Sequence, residues 1–242
     1  MTDFTGQIAV VTGASSGIGK AIALDLGARG ATLCLIGRRL ERLDAVAKSA
    51  RATAPRVSCY RVDLTVDEEV QELAADLQRD FGYLDLLVHS AAVIHWGRLE
   101  VAPVEDLDQQ YRTNVRAPYV LTQTLLPMLK ARQGQIVFIN SSVGLKSAIP
   151  NLSQYTATKH ALKAIADSLR AEVNSDGVRV LSVYPGRTAT PMQAAIHKIE
   201  GKKYYPEHFM QPEDVAAVVV NALSLPRSAE VTDVSVRPMN KP

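Results

Sequence analysis

Tyr155 and Lys159 stand four residues apart in a run of helical periodicity, so a phenol and an ammonium share one helix face. A phenol ordinarily ionises at about pH 10, and a neighbouring positive charge is what would let it exchange a proton nearer neutrality. The pair is therefore expected to serve as a general acid/base, with Lys159 lowering the pKa of Tyr155. A second chemically competent stretch is Ile8 to Lys20, IAVVTGASSGIGK, where an apolar run breaks into three glycines and resumes with helical spacing. Gly13, Gly17 and Gly19 fit a tight turn, the approach of a diphosphate, and close packing of helix on strand. The loop amides and the helix start make an anion site, to which Thr12, Ser15 and Ser16 add hydroxyls. The T-G-x-x-x-G-x-G spacing lacks the Lys-Ser/Thr ending of a triphosphate-binding loop, which favours a dinucleotide over ATP.

The elements that must position these groups alternate. Helical spacing over 18–29 closes at Gly30, and Thr32 to Ile36 reads as a buried strand. A helix over 40–52, a strand over 56–62, a helix over 66–81 and a strand over 84–88 follow. Pro118 and Pro127 interrupt the long run 104–130, so one helix is expected to end near Asn114 and another to begin near Pro118. A strand over 136–140, a helix over 153–174 and a strand over 178–184 come next, and Pro185-Gly186 opens a stretch to Gln211 read as irregular. A helix over 212–223 and a strand over 231–236 finish the chain. Such alternation predicts an α/β fold, a doubly wound parallel sheet of about seven strands with helices on both faces. No repeat or linker divides it, so residues 1–242 are expected to form one dinucleotide-binding and catalytic domain.

Composition excludes several classes. Lysine plus arginine exceeds aspartate plus glutamate by 27 − 25 = 2, so no strong field points to nucleic acid or a membrane. Cys34 and Cys59 lie in apolar runs without a C-x-x-C, which reads as two buried thiols in a reducing compartment, a disulfide between them being the minor alternative. No metal site is expected. The N-terminal MTDFTGQ has no basic region followed by an apolar core, and a soluble cytoplasmic protein is expected.

Taken in order, T12-G-A-S-S-G-I-G19, Asn114, Ser142, Tyr155-x-x-x-Lys159 and Pro185-Gly186 resemble the short-chain dehydrogenase/reductase family across essentially the whole chain. The resemblance implies a Rossmann-type fold and a catalytic set of Asn114, Ser142, Tyr155 and Lys159. Tyr155 would be the acid in carbonyl reduction and the base in alcohol oxidation, and Ser142, thirteen residues before it, would hold the substrate oxygen. Lys159 would also bond the nicotinamide ribose, and Asn114 would fix a water that links Lys159 to solvent. Ser141 beside Ser142 reads as a cap or turn residue, and Asn114 could equally end a helix. The family's Asn-Asn-Ala-Gly after the fourth strand is replaced by His89-Ser90-Ala91-Ala92, which is read as variation rather than loss.

The second strand ends in Gly37-Arg38-Arg39, without the acid that binds ribose hydroxyls in NAD sites. Guanidinium groups suit a phosphate, so NADP(H) is preferred over NAD(H), with Arg38 the principal reader and Arg39 the residue better suited to capping. Resemblance adds Ile18, Asp63, Leu64, Ala91, Pro185, Gly186, Thr188 and Thr190 to the cofactor contacts. His95, Trp96, Ser142, Leu145, Ala148 and Tyr155 are expected to line the substrate pocket, with 187–211 as the substrate loop. The lysines and tyrosines of that loop leave an anionic or amphipathic substrate open. A small ketone, aldehyde or hydroxy acid is preferred to a ketoacyl thioester of lipid synthesis. A non-catalytic NADP(H) sensor is the competing class. A homodimer or homotetramer is expected from the resemblance of helices 104–130 and 153–174 to those that pair family members.

Overall fold

A computed structural model describes residues 3–146 and 149–239. Seven strands, β1 (Ile8–Thr12), β2 (Thr32–Gly37), β3 (Val57–Arg61), β4 (Leu86–His89), β5 (Gln135–Ile139), β6 (Arg179–Pro185) and β7 (Asp233–Val236), form one parallel sheet in the order β3-β2-β1-β4-β5-β6-β7. Alternate residues of each strand face opposite layers, as the two-residue period requires. Ala9 and Val11 of β1 join a core with α1 (Gly17–Ala28), α2 (Leu40–Ala50) and α8 (Pro212–Leu223), whereas Ile8 and Val10 join one with α3 (Asp67–Asp80), α5 (Ala117–Lys130) and α6 (Ser153–Val173). The expected doubly wound sheet is present. Its order reverses between β1 and β4, and such a switch point opens a crevice at the carboxyl ends of the strands.

One expectation is refined and one corrected. As expected, one helix, α4 (Val104–Tyr111), ends near Asn114 and another, α5, begins near Pro118, but a π turn, Arg112–Arg116, joins them into one rod and carries Asn114. A proline lacks only one amide hydrogen, and a wider turn absorbs that loss without breaking the rod. The stretch 187–211 contains α7 (Pro191–Ile199), started by the Thr190 hydroxyl, which accepts from the Gln193 amide at 3.2 Å. Thr190 followed by proline at the first helical position is a start signal that the surrounding lysines and glycine obscured.

The cysteines are both free, Cys34 buried and Cys59 half-buried. Cys34 pairs across the ladder with Ser58 and Leu35 with Cys59, so the thiols point to opposite faces of the sheet and cannot bridge. Among the described residues no helix is long and apolar enough to cross a membrane.

Candidate active site

The tips of β1 and β4 are tied by one hydroxyl. Thr12 Oγ1 donates to the Val88 carbonyl at 3.2 Å and accepts from the amides of Ser90 and Ala91 at 3.0 and 3.2 Å. That leaves no room for a side chain at Gly13, where a Cβ would stand 2.8 Å from the Ala91 nitrogen and φ is +64°. A Cβ on Gly19 would lie 2.7 Å from the Gly13 carbonyl oxygen, which is how α1 packs closely on the loop. Ser16, the N-cap residue of α1, makes no side-chain cap bond, so the first-turn amides keep their affinity for an external anion.

A cleft of about 1010 Å³ runs from this loop along the strand ends. At one end stand Arg38 and Arg39, both exposed and without a carboxylate partner among the described residues. Arg39 occupies the N-cap position of α2 through its backbone, without a side-chain cap bond. Asp63 and Leu64 line the same end, with Asp63 Oδ1 accepting from the Thr65 amide and hydroxyl at 3.0 and 2.7 Å. Ser15, Ser16, Ile18, Ala91, Pro185, Gly186, Thr188 and Thr190 line the middle. A glycine cradle that a Cβ would fill, an uncapped helix start and two guanidiniums without a carboxylate partner among the described residues together fit a dinucleotide.

Tyr155 and Lys159 rise from α6 into the cleft floor, 6% and 1% exposed. Lys159 Nζ donates to the Ile139 carbonyl at 3.2 Å and lies 5.6 Å from the centre of the Tyr155 ring. The expected lowering of the phenol pKa is corrected here. Burial pushes Tyr155 up to about 12, opposed by a hydrogen bond from Ser141, and pushes Lys159 down to about 8. An interior position disfavours each charged form, and among the described residues no carboxylate offsets the ammonium. Ser142 lines the cleft, while the Ser141 hydroxyl accepts from the Val143 amide at 3.3 Å, the turn role expected of it. Asn114 is buried in the π turn; its Oδ1 accepts from the Val93 amide at 2.9 Å, and its Nδ2 donates to the Val93 carbonyl at 2.8 Å and to Thr158 Oγ1 at 3.2 Å. Thr158 Oγ1 in turn donates to the Tyr155 carbonyl at 2.8 Å, so Asn114 braces the turn that carries the phenol.

The family model of the short chain dehydrogenases matches residues 7–201. The chain belongs to that family. An uncharacterized oxidoreductase of Staphylococcus aureus (strain USA300) is 35% identical over 240 residues, covering 99% of this chain and 100% of the relative. Among solved structures, a metagenomic short-chain oxidoreductase in complex with NADP is 31% identical with a TM-score of 0.84, covering 98% of this chain and 99% of its own. An alcohol dehydrogenase from the archaeon Thermococcus sibiricus, complexed with 5-hydroxy-NADP, is 28% identical with a TM-score of 0.88 over 98% of both chains. The protein is thus an oxidoreductase of the short-chain dehydrogenase family.

Within this family member, two expected pocket residues lie elsewhere. His95 turns to α4, with Nε2 2.7 Å from Gln109 Oε1 and Nδ1 3.3 Å from Asp106, and it does not line the cleft. Leu145 points outward, 49% exposed. Trp96, Ser142 and Tyr155 do line the cleft, and Ala148 lies outside the described residues. In place of the missing two, Ile94, Thr113, Ile149 and Leu152 contribute, with Met192, Gln193 and Ile196 from α7. His89 is buried away from the cleft, stacked at 4.9 Å on Phe138 with Nε2 2.8 Å from Thr122 Oγ1, and burial holds its pKa at about 3. A neutral histidine so enclosed braces the sheet.

Proposed function

We propose that the chain is an NADP(H)-dependent oxidoreductase that interconverts a carbonyl and an alcohol, with Tyr155 as the general acid/base. The observation that carries this reading is one continuous cleft, with unpartnered Arg38 and Arg39 at one end and Tyr155 and Lys159 at its floor. Bound NADP(H) would supply or accept the hydride. Gly13, Gly17 and Gly19 would admit its diphosphate against the α1 amides, Arg38 would take the ribose phosphate, and Thr188 and Thr190 would close the other side. The solved relatives that hold NADP or 5-hydroxy-NADP support the phosphorylated form.

Ser142 would hold the substrate oxygen beside Tyr155 Oη. Burial raises the Tyr155 pKa, so the phenol keeps its proton at neutral pH and would donate it to a carbonyl oxygen in reduction, and in the reverse direction its ionised form would take the proton of an alcohol. Lys159 Nζ would bind the ribose, and a water fixed by Asn114 would link Lys159 to solvent. We further propose a single catalytic domain that works as a homo-oligomer in the cytoplasm, where two free cysteines are unremarkable.

The test is titration of the purified protein with NADPH and NADH, followed by oxidation of bound NADPH against ketones, aldehydes and ketoacyl thioesters. Tight NADPH binding with turnover is expected for the wild type. Tyr155→Phe should keep NADPH binding and lose turnover by roughly 10²–10⁴-fold, the usual worth of a positioned acid. Preserved turnover in that variant would remove Tyr155 from the mechanism, and NADPH binding without any turnover would favour a sensor.

A further inference from the structure

The cleft has a pronounced charge asymmetry that cofactor binding does not use up. Among its described lining residues the cations are Arg38, Arg39, Lys146, Lys159, Arg187 and Arg237, and the one acid is Asp63, whose carboxylate is engaged by Thr65. The proposed reading above assigns Arg38 and Arg39 to a ribose phosphate and Lys159 to proton transfer. Arg187, Arg237 and Lys146 are left. Lys198, Lys202 and Lys203, the lysines of the stretch 187–211 that left an anionic substrate open, do not line it.

Arg187 and Arg237 are neighbours by construction of the sheet. Pro185 and Val236 are partners in the β6–β7 ladder, and the Gly186 amide donates to the Val236 carbonyl at 2.7 Å. A Cβ on Gly186 would lie 3.3 Å from the Arg237 Cα. The two arginines therefore leave the carboxyl ends of adjoining parallel strands, immediately past the Pro185-Gly186 corner, and both line the cleft. Both are exposed, and neither meets a carboxylate among the described residues. Other arginines of this chain do find acids: Arg29 pairs with Asp25, Arg116 with Asp67 and Arg132 with Asp85. Two exposed guanidiniums rooted on adjoining strand ends, with no acid among the described residues to engage them, are free to take an anion, and a guanidinium fork matches an oxyanion in geometry as well as charge. Lys146, at the end of the turn that carries Ser142, adds a further positive charge to the cleft.

We propose that Arg187 and Arg237 form an oxyanion subsite, so that the substrate is a carbonyl compound, or its alcohol, bearing a carboxylate or phosphate group. The subsite rests on the NADP(H) reading, since Arg187 adjoins Gly186 and Thr188, which that reading gives to the cofactor. Trp96, Ile94 and Leu152 line the same cleft and add apolar surface that suits a carbon chain.

The test uses NADP+-saturated protein, which binds a ketone without turning it over. It is titrated calorimetrically with 2-oxopentanoate and 4-oxopentanoate against their methyl esters, and with dihydroxyacetone phosphate against dihydroxyacetone. At least one anion is expected to bind about tenfold or more tightly than its neutral counterpart, the magnitude of one charge-assisted pair. The acid pairs and the phosphate pair distinguish which oxyanion is read. Arg187→Gln/Arg237→Gln should abolish the preference with the melting temperature held, and Arg187→Lys/Arg237→Lys should restore part of it. Equal binding of anion and neutral partner in the wild type, absence of binding by all of them included, overturns the proposal, as does a preference that survives the double glutamine variant. Failure of the protein to bind NADP+ would instead strike the cofactor reading, and the two failures are separate readouts of the same titration.

Discussion

Replacing Lys159 by methionine should make the protein more stable while abolishing its proposed chemistry. Lys159 is 1% exposed, its Nζ bonds one carbonyl, and burial brings its pKa from 10.5 to about 8. At about 1.4 kcal/mol per pK unit, keeping that ammonium charged in the native state costs about 3 kcal/mol below pH 8. Methionine fills a similar volume without the charge, but it strands the Ile139 carbonyl, a loss of about 1 kcal/mol. The net gain at pH 7 is therefore about 2 kcal/mol, equivalent to roughly 4–8 °C in melting temperature for a chain of this size. The pH dependence has a definite sign. Unfolded chains hold the lysine proton up to about pH 10.4 while the native state releases it near 8, so wild-type stability gains on the variant as pH rises between those values. Melting curves of both proteins at pH 7 and pH 9.5 measure the difference and cancel every other titrating group. A variant that melts below the wild type at pH 7, by the same margin at pH 9.5, would refute an uncompensated buried ammonium.

His89 gives the acid-side counterpart: its unfolded pKa of about 6.5 falls to about 3 on burial, so stability held above pH 6.5 should decline by about 2 kcal/mol on acidification to pH 5, and His89→Asn should lack that slope in urea titrations. A margin between the two proteins that is the same at pH 8 and pH 5 would show that the histidine is not held neutral. Arg38→Ala should weaken NADPH by about 10–100-fold and NADH by no more than about twofold, and equal weakening would mean that Arg38 does not read the phosphate. Gly13→Ala and Gly201→Ala both place a Cβ at positive φ, +64° and +65°, but only Gly13 has backbone within 3 Å of it. Gly201→Ala should lose about 1 kcal/mol, whereas Gly13→Ala should lose roughly 2 kcal/mol more and impair NADPH binding, and similar losses at the two sites would exclude steric closure at the loop.

What was legible in the sequence was whatever the backbone itself demands. Gly13 and Gly19 announce the loop because a Cβ there meets main chain, which no rotamer change relieves. The strands announce themselves because sheet burial on both faces requires unbroken apolar runs such as Leu33 to Ile36. Side-chain direction at the rim was not legible. His95 and Trp96 are consecutive, yet only Trp96 enters the cleft, because Gln109 and Asp106 of α4 draw the imidazole aside. Leu145 and Lys146 divide in the same way. Arg187 and Arg237 are fifty residues apart in the chain and become neighbours only through β6–β7 pairing, so no local pattern could have joined them.

The altered His89-Ser90-Ala91-Ala92 segment shows why a departure from a family motif need not disturb the site. At the strand end the backbone of Ser90 and Ala91 lies against Gly13, and both amides are held by the Thr12 hydroxyl, while the Ser90 hydroxyl oxygen would stand 3.1 Å from a Cβ on Gly19. The side chain at position 89 points the other way, into the helical layer, where its task is to satisfy a polar partner. Histidine meets that task by bonding Thr122 and stacking on Phe138, and its enclosure keeps it neutral, so no charge is added beneath the cleft. Ala92 adds one methyl group at the cleft wall, and room for it is set by Val93, whose backbone Asn114 clamps from both sides. Thr12 and Asn114 fix the main chain on either flank of the motif. A substitution between them changes the bracing of the sheet, and one at either clamp would move the cleft wall itself.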